Sequence, residues 1–135
     1  MFSIGDWEND LFKRGYECAY EIITEIEAFG KDGVCATEIF EKALWIAKRN
    51  GLTENFMGYG TTRVTFIGHG VGLELNELPV ITGRHRTILK EGMVFAFEPK
   101  FVFPHLGASG LEVDFIVRKW GLERVSDFPL DLIRL

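Results

Sequence analysis

Apolar residues recur every three or four positions in the first part of the chain, between Trp7 and Phe29. The repeating positions are Leu11, Phe12, Ala19, Ile22, Ile23, Ile26 and Phe29. This spacing matches the 3.6-residue period of an α-helix and predicts an amphipathic helix from Trp7 to Phe29. Gly30 and Gly33 follow directly, and glycine is common where a helix ends. We therefore expect this helix to end at Gly30.

A second amphipathic segment follows, and its apolar positions again have helical spacing. They are Ile39, Phe40, Ala43, Leu44 and Ala47. Thr37 is the predicted N-cap, because its hydroxyl can accept a hydrogen bond from a free backbone N–H of the first turn. Glu38 and Glu41 suit the positive end of the helix dipole, and Gly51 is expected to stop the helix.

After Gly51 the pattern changes to short β-prone runs separated by glycines, which predicts strands and loops. The runs are Arg63–Ile67, Met93–Phe103 and Leu111–Lys119. The last two are separated by "PHLGASG", which is long enough for an antiparallel hairpin with a loose loop. Two helices followed by an antiparallel sheet predict an α+β fold.

Length and charge narrow the class of protein. The 135 residues have the length of one domain, so residues 1–135 are interpreted as a single domain. A net charge of −5 gives no basic surface for nucleic acid or an anionic membrane, so neither is an expected partner. No apolar run approaches the ~20 residues of a membrane span, and the N-terminus does not resemble a signal peptide. We expect a cytoplasmic protein.

Cysteine and phenylalanine content adds two expectations. Cys18 and Cys35 match no metal-binding or redox spacing, so both are interpreted as small buried apolar residues. Twelve phenylalanines are many for a chain of this size. Either the core is very aromatic, or part of this apolar surface faces a partner chain.

Candidate chemistry begins with two carboxylates in runs that otherwise suit burial. Glu98 lies in "MVFAFEPKFVF" and Glu112 in "SGLEVDFIV". If the two runs pair as a hairpin, facing side chains stand about 5 Å apart, where two carboxylates repel unless a positive charge lies between them. A divalent metal is one solution, and His69 of "FIGHGVGLELNELPVI" would complete a set of ligands suited to Zn, Mn, Co or Fe. The spacing of these three residues matches no compact motif.

Ion pairs are the alternative solution, and the residues themselves leave it open. The two carboxylates would then be held by basic side chains rather than by a metal. The candidates for this role are Arg63, Arg84, Arg86 and Lys100.

Three ordered blocks, "GHGVGLELNELP", "LKEGMVFAFEP" and "GLEVDFIV", closely resemble the signature blocks of the pita-bread metallopeptidases. That family includes prolidase, aminopeptidase P, creatinase and methionine aminopeptidase. The segment "FGKDGVCATEIFEKA" and the final "DFPLDLIRL" are also similar to family regions, so the resemblance covers essentially the whole chain. It implies a partial pita-bread fold, the C-terminal part of a catalytic domain. It also implies that His69, Glu98 and Glu112 are metal ligands at a divalent metal site, which can be empty.

The first departure from the family pattern concerns the other ligands. The family holds two metals with two Asp, one His and two Glu, and both Asp precede the region that "MFSIGD" resembles. Met1 falls just after the second of them, so we expect a truncated chain that lacks both. His69, Glu98 and Glu112 would then belong to a single metal, and a two-metal clamp could not form within this chain alone.

The second departure concerns proton transfer. The family has a histidine seven residues after the ligand histidine, typically followed by an acidic residue that is matched here by Glu77, near the expected substrate position. Asn76 occupies the histidine position in this chain, and an amide cannot exchange a proton near neutral pH. A further family histidine, four residues before the ligand, is replaced by Thr65.

The third departure follows the bridging carboxylate. The family usually has an acidic residue directly after the position of Glu112. This chain has Val113 there, and Asp114 follows one position later. On a strand, Glu112 and Asp114 point to the same face, so Asp114 is a candidate substitute ligand. The alternative is that Asp114 is a surface residue or is paired with an arginine.

Two functions remain in view. The first expectation is an Xaa-Pro peptidase-related protein that is inactive as an isolated chain. The alternative is an active metal-dependent Xaa-Pro dipeptidase or aminopeptidase when the sequence is part of a longer chain, with a short peptide as substrate. In the family that the chain resembles, the N-terminal part of the catalytic domain covers apolar surface of the C-terminal part. A second copy would cover that surface here, so we also expect a homodimer or higher oligomer.

Overall fold

The computed structural model describes residues 2–3 and 9–134. Helices α1 and α2 span Asp10–Phe29 and Ala36–Arg49. Within the described residues the strands are β1 (Phe2–Ser3), β2 (Phe66–Gly70), β3 (Glu77–Thr82), β4 (Val94–Phe97), β5 (Lys100–Phe103), β6 (Gly107–Gly110), β7 (Val113–Val117), β8 (Leu122–Arg124) and β9 (Ile133–Arg134). The predicted α+β class is confirmed.

Helix α1 agrees with its apolar period. The side chain of Asn9 accepts a hydrogen bond from the Leu11 N–H at 2.9 Å and caps the first turn. The helix ends at Gly30, as predicted, where the Gly30 N–H donates to the Ile26 carbonyl at 2.7 Å. Trp7, the predicted first residue, lies outside the described residues.

Helix α2 begins earlier than predicted, and the prediction of Thr37 as its N-cap was wrong. Cys35 is the capping residue, and its backbone N–H donates to the Glu38 carboxylate at 3.0 Å. The first residue of this helix is also held by a distant segment, because the Ala36 N–H donates to the Thr87 carbonyl at 2.8 Å. The predicted stop is confirmed, since Gly51 follows the C-cap with a φ of +70°, a conformation that glycine adopts without strain.

Five strands form an antiparallel sheet in the order β3, β2, β4, β7, β8. Strands β5 and β6 form a separate hairpin, and β1 pairs in parallel with β9. Helix α1 packs on β5, β6 and β8, whereas α2 packs on β3. Neither of these two helices is long and apolar enough to cross a membrane.

The core lies between the helices and one face of the sheet, and it is rich in phenylalanine. Six phenylalanines are at most 3% exposed, namely Phe56, Phe95, Phe97, Phe101, Phe103 and Phe115. They pack with helix residues such as Ile22, Ile23, Ile39 and Ile46. Half of the twelve phenylalanines therefore lie in an aromatic core.

The strand predictions were partly wrong before residue 83. The first predicted run, Arg63–Ile67, becomes a strand only at Phe66, because residues 60–62 form a 3-10 turn and the Val64 N–H donates to the Met57 carbonyl instead of to a sheet partner. Strand β3 was not predicted. It contains Pro79, which is tolerated because β3 is an edge strand.

The run Met93–Phe103 is two strands rather than one. Pro99 has no N–H to donate, so the ladder breaks at Glu98 and Pro99 between β4 and β5. The segment "PHLGASG" is not a loose loop, because residues 107–110 form β6 and pair with β5. The third run shortens to Val113–Val117.

Candidate functional site

His69, Ala96 and Asp114 form one row across three neighbouring strands. His69 pairs with Ala96, and Ala96 pairs with Asp114. Residues directly opposite each other in antiparallel strands share a face, so all three lie on the face opposite the core residues Phe95, Phe97 and Phe115. Two strand spacings of about 4.8 Å separate the backbones of His69 and Asp114 by roughly 10 Å. The Ala96 side chain between them is only 2% exposed, so this part of the face is covered.

Glu98 and Glu112 lie opposite each other in one continuous register. Phe97 pairs with Val113 at the end of the β4–β7 ladder, and Lys100 pairs with Gly110 at the end of the β5–β6 ladder. Counting inward from either ladder places Glu98 opposite Glu112. The predicted antiparallel pairing of these two runs is confirmed. Both carboxylate residues line one cleft of about 330 Å³.

The Glu98 carboxylate lies between a histidine and a lysine. Its Oε1 atom is 3.8 Å from Nε2 of His69, and its Oε2 atom accepts a hydrogen bond from Nζ of Lys100 at 3.0 Å. The side chains of His69 and Glu98 are only 14% and 21% exposed, whereas Lys100 is 41% exposed. The ion pair therefore lies at the edge of the cleft, with the ammonium group towards solvent.

The other ring nitrogen of His69 decides what Nε2 can do. Nδ1 lies 3.1 Å from the Gly70 carbonyl oxygen, an acceptor, so in the neutral ring Nδ1 holds the proton. Nε2 then directs a lone pair towards a carboxylate oxygen. Two electron-pair donors face each other across 3.8 Å, a separation that one ion bound at about 2.0 to 2.2 Å from each could span.

A complete metal centre is not formed by these side chains. Glu112 and Asp114 are both exposed to solvent. Within the part of the chain that the structure describes, no three His, Cys, Asp or Glu side chains are close enough together to hold a metal ion. His69 and Glu98 are brought together, and Glu112 faces Glu98, but the three do not converge on one point. The ligand set His69, Glu98 and Glu112 stays a prediction, as does a role for Asp114.

The ion-pair alternative is confirmed for Glu98 and Lys100. Of the four basic residues considered, Arg63 pairs with Glu54, donating to its backbone carbonyl at 2.7 Å. The sequence contained a signal that favoured Lys100. Residues two apart on a strand share a face, and the spacing of Glu98 and Lys100 was this signal.

Glycines on either side of His69 allow the strands to approach closely. A Cβ atom on Gly68 would lie 2.5 Å from the Ala96 carbonyl oxygen, and one on Gly70 would lie 2.2 Å from the Leu78 carbonyl oxygen. Neither distance is compatible with a side chain. These glycines therefore allow close packing around His69.

Asn76 and Glu77 lie at the loop between β2 and β3. Asn76 is exposed, whereas the Glu77 carboxylate accepts a hydrogen bond from the Glu74 N–H at 3.2 Å. A Cβ atom on Gly72 would meet this carboxylate at 2.1 Å, so the loop closes tightly around it. Glu77 thus stabilises its own loop.

The family model of the metallopeptidase family M24 matches residues 1–119, and the chain belongs to this family. The Xaa-Pro dipeptidase of Pyrococcus furiosus is 35% identical over 84% of this chain and 32% of the relative. The solved X-Pro aminopeptidase of Thermotoga maritima has a TM-score of 0.87 at 25% identity, covering 99% of this chain and 36% of that one. The Xaa-Pro dipeptidase of Bacillus anthracis gives a TM-score of 0.87 at 28% identity, with the same coverage.

These comparisons confirm the pita-bread fold and the relationship to Xaa-Pro peptidases. The chain spans about a third of the length of the curated relatives it matches. The fold alone is also shared with the N-terminal domain of the FACT complex subunit SPT16 from chickpea, at 18% identity and a TM-score of 0.75 over 90% of this chain and 30% of that one.

Proposed function

We propose that this chain supplies the His69, Glu98 and Glu112 part of an Xaa-Pro peptidase metal centre and does not hydrolyse peptides by itself. The observation that supports the proposal is the arrangement at Glu98. One carboxylate oxygen faces Nε2 of His69 at 3.8 Å, and the other is held by Lys100 at 3.0 Å. The site therefore has two possible metal ligands close together, His69 and Glu98. The ammonium group of Lys100 lies beside them, where a metal centre would need a third ligand.

The donors described so far do not fit a complete metal centre. A divalent metal, when bound in such a site, lowers the pKa of a bound water and polarises a carbonyl group. That chemistry requires at least three protein ligands in a fixed geometry. The two Asp ligands implied by the family resemblance have no counterpart in residues 1–135. We therefore assign this isolated chain no catalytic step through a metal.

Proton transfer gives independent support. A peptide hydrolase must deliver a proton to the leaving amine, and histidine is the usual group near neutral pH. Asn76 occupies the position of the expected histidine, and Thr65 occupies another. Neither side chain titrates in that range. Glu77 is the acidic group closest to this position in sequence, but its carboxylate is engaged with the Glu74 N–H.

The alternative function is an active Xaa-Pro dipeptidase or aminopeptidase when further ligands come from a longer chain or a second chain. The geometry that favours it is the shared cleft of Glu98 and Glu112, with His69 within reach of one ion bound to Glu98. Carboxylate donors from outside residues 1–135 would complete the set and displace Lys100. The names of the relatives indicate Xaa-Pro peptides as the substrate class.

A metal-retention experiment tests the proposal. The purified chain is dialysed separately against micromolar Mn, Co, Zn or Fe(II) and then against metal-free buffer, and the retained metal is measured by elemental analysis. We expect much less than one ion per chain, and no difference between the wild type and a His69→Ala variant. One ion per chain that His69→Ala removes would contradict an incomplete centre.

The predicted self-association and cytoplasmic location both stay proposals. Leu73, Leu75 and Leu78, in and beside the loop before β3, are 104%, 84% and 75% exposed. This exposed apolar group supports self-association, because such side chains lose contact with water when a second copy covers them.

A further inference from the structure

A second cleft lies on the helix side of the fold, between α2 and the segment that precedes β2. Its volume is about 320 Å³, at the lower end for small-ligand pockets. The residues that line it include Phe40, Phe56, Arg63, Thr65, Gly83 and Arg84. None of them is a predicted metal ligand.

The apolar wall of this cleft is fixed by the core. The rings of Phe40 and Phe56 have centroids 6.3 Å apart, and Phe56 packs in turn on the buried Phe101 at 5.7 Å. The Thr82 hydroxyl donates to the Thr65 carbonyl at 2.6 Å and holds the opposite wall. The walls of the cleft are therefore held in place by contacts within the rest of the fold.

Gly83 keeps the cleft open. A Cβ atom at this position would lie 3.1 Å from Cδ1 of Phe40, a closer approach than van der Waals contact allows without movement. Its φ is not in the left-handed region, so the backbone itself does not require glycine. The absence of a side chain therefore leaves the edge of the Phe40 ring accessible.

The charged side chains of the cleft indicate which polar group a ligand would carry. Among the residues that the structure describes, two arginines and no acidic residue line the cleft. Arg63 is partly neutralised by Glu54, whose carboxylate lies 3.7 Å from its guanidinium. The Arg84 guanidinium makes no ion pair or hydrogen bond to any residue within 2–3 and 9–134. An unpaired guanidinium beside an apolar wall matches a carboxylate next to an apolar group.

We propose that this cleft binds an apolar group that bears a carboxylate, with the apolar part against Phe40 and Phe56 and the carboxylate on Arg84. Two sources have this chemistry, a free small acid and the C-terminal residue of a peptide. The proposal does not depend on the peptidase-related function, because none of the residues that would hold the ligand is a predicted metal ligand.

Binding of 3-phenylpropanoate, measured by NMR chemical-shift titration of the whole chain, tests this site against the neutral isostere 3-phenylpropanamide. We expect the acid to bind about tenfold more tightly than the amide, because the charge-assisted hydrogen bond to Arg84 is lost in the amide. The Arg84→Gln variant should remove this difference. Arg86→Gln is the matched control, since Arg86 lies in the same loop but does not line the cleft, and it should keep the difference.

Gly83→Val should weaken the acid and the amide alike, and its thermal midpoint shows whether the variant is folded. A dipeptide that ends in a free C-terminal Phe distinguishes the sources. Tighter binding than the free acid identifies a peptide terminus, and weaker binding identifies a small acid. Equal affinity for acid and amide, loss of the difference in Arg86→Gln as well, or no binding at millimolar concentration would overturn the proposal.

Discussion

The ammonium nitrogen of Lys100 lies 3.0 Å from Oε2 of Glu98, on the carboxylate whose other oxygen faces His69. A lysine at this distance supplies the positive charge that a partly buried carboxylate needs. It also competes with any cation for the same oxygen. The pair links the fold to the proposed loss of activity, because β5 places Lys100 on the same face as the expected ligands.

Removing this competing cation should raise metal affinity. We expect Lys100→Met to bind Zn about three- to fivefold more tightly than the wild type in a calorimetric titration, since a partly exposed ion pair contributes up to about 1 kcal/mol. Lys119→Met is the matched control, because it removes the same charge from an ion pair outside the site. In that pair, Nζ of Lys119 lies 3.6 Å from Oε2 of Glu91. Equal gains in the two variants would mean that only net charge matters.

Close strand packing beside His69 should make Gly70 intolerant of substitution. In Gly70→Ala the new methyl group would lie 2.2 Å from the Leu78 carbonyl oxygen, so β2 and β3 must separate. We expect the free energy of unfolding to fall by about 1 to 3 kcal/mol in chemical denaturation. Gly121→Ala, where a Cβ meets nothing within 4 Å, should change it by less than about 0.5 kcal/mol. Similar losses in both variants would contradict this packing.

The two cysteines should affect stability in opposite pH ranges. Burial raises the pKa of the Cys18 thiol from 9.0 to about 12. Its contribution to stability is thus complete below pH 9 and is lost as the pH rises to about 12, since the folded state holds the proton longer. Hydrogen bonds from the hydroxyl and backbone N–H of Thr37 lower the pKa of Cys35. The contribution of Cys35 is complete above its unfolded pKa and is lost as the pH falls through its folded value.

Denaturation curves recorded at several alkaline pH values check this assignment. Cys18→Ala should reduce the fall in unfolding free energy between pH 9 and 12. Above about pH 10, Cys35→Ala should leave the slope unchanged, because Cys35 is then largely deprotonated in both the folded and the unfolded state. The same slope in the wild type and in Cys18→Ala would show that the thiol of Cys18 is not held in its protonated form.

Self-association should depend on the exposed leucines before β3. Light scattering at micromolar concentration is expected to give the mass of at least a dimer, and Leu75→Ser should shift it towards the monomer. Leu106→Ser is a suitable control, because Leu106 is 49% exposed on the β5–β6 turn. A monomeric wild type would count against the predicted homodimer.

The helices were predictable because their apolar positions repeat with one period over several turns. The residues at which the helices begin were harder to predict. Helix α2 begins where Ala36 meets Thr87, a contact between residues far apart in sequence. Thr37 looked like a better cap than Cys35 from local preference alone. Strand β3 was missed because a proline within it outweighed its short apolar run, and its position at the sheet edge is a property of the topology.

The sequence proposes the members of the candidate site but not their geometry. The motifs identified His69, Glu98 and Glu112, and the hairpin placed Glu98 opposite Glu112. The approach of His69 to Glu98 depends on the pairing of β2 with β4, which no spacing in the sequence specifies. Lys100 was one of four candidate partners of the carboxylates, and the structure shows it paired with Glu98.

Hydrolysis of an Xaa-Pro dipeptide by the purified chain, in the presence of Mn, Co or Zn, tests the central claim most directly. Release of free proline is followed over hours, with a Glu98→Gln variant as the control for a contaminating peptidase. We predict no release above that of the Glu98→Gln variant with any of the three metals. Metal-dependent release of proline that Glu98→Gln abolishes would contradict the account, because these 135 residues would then form a working centre by themselves.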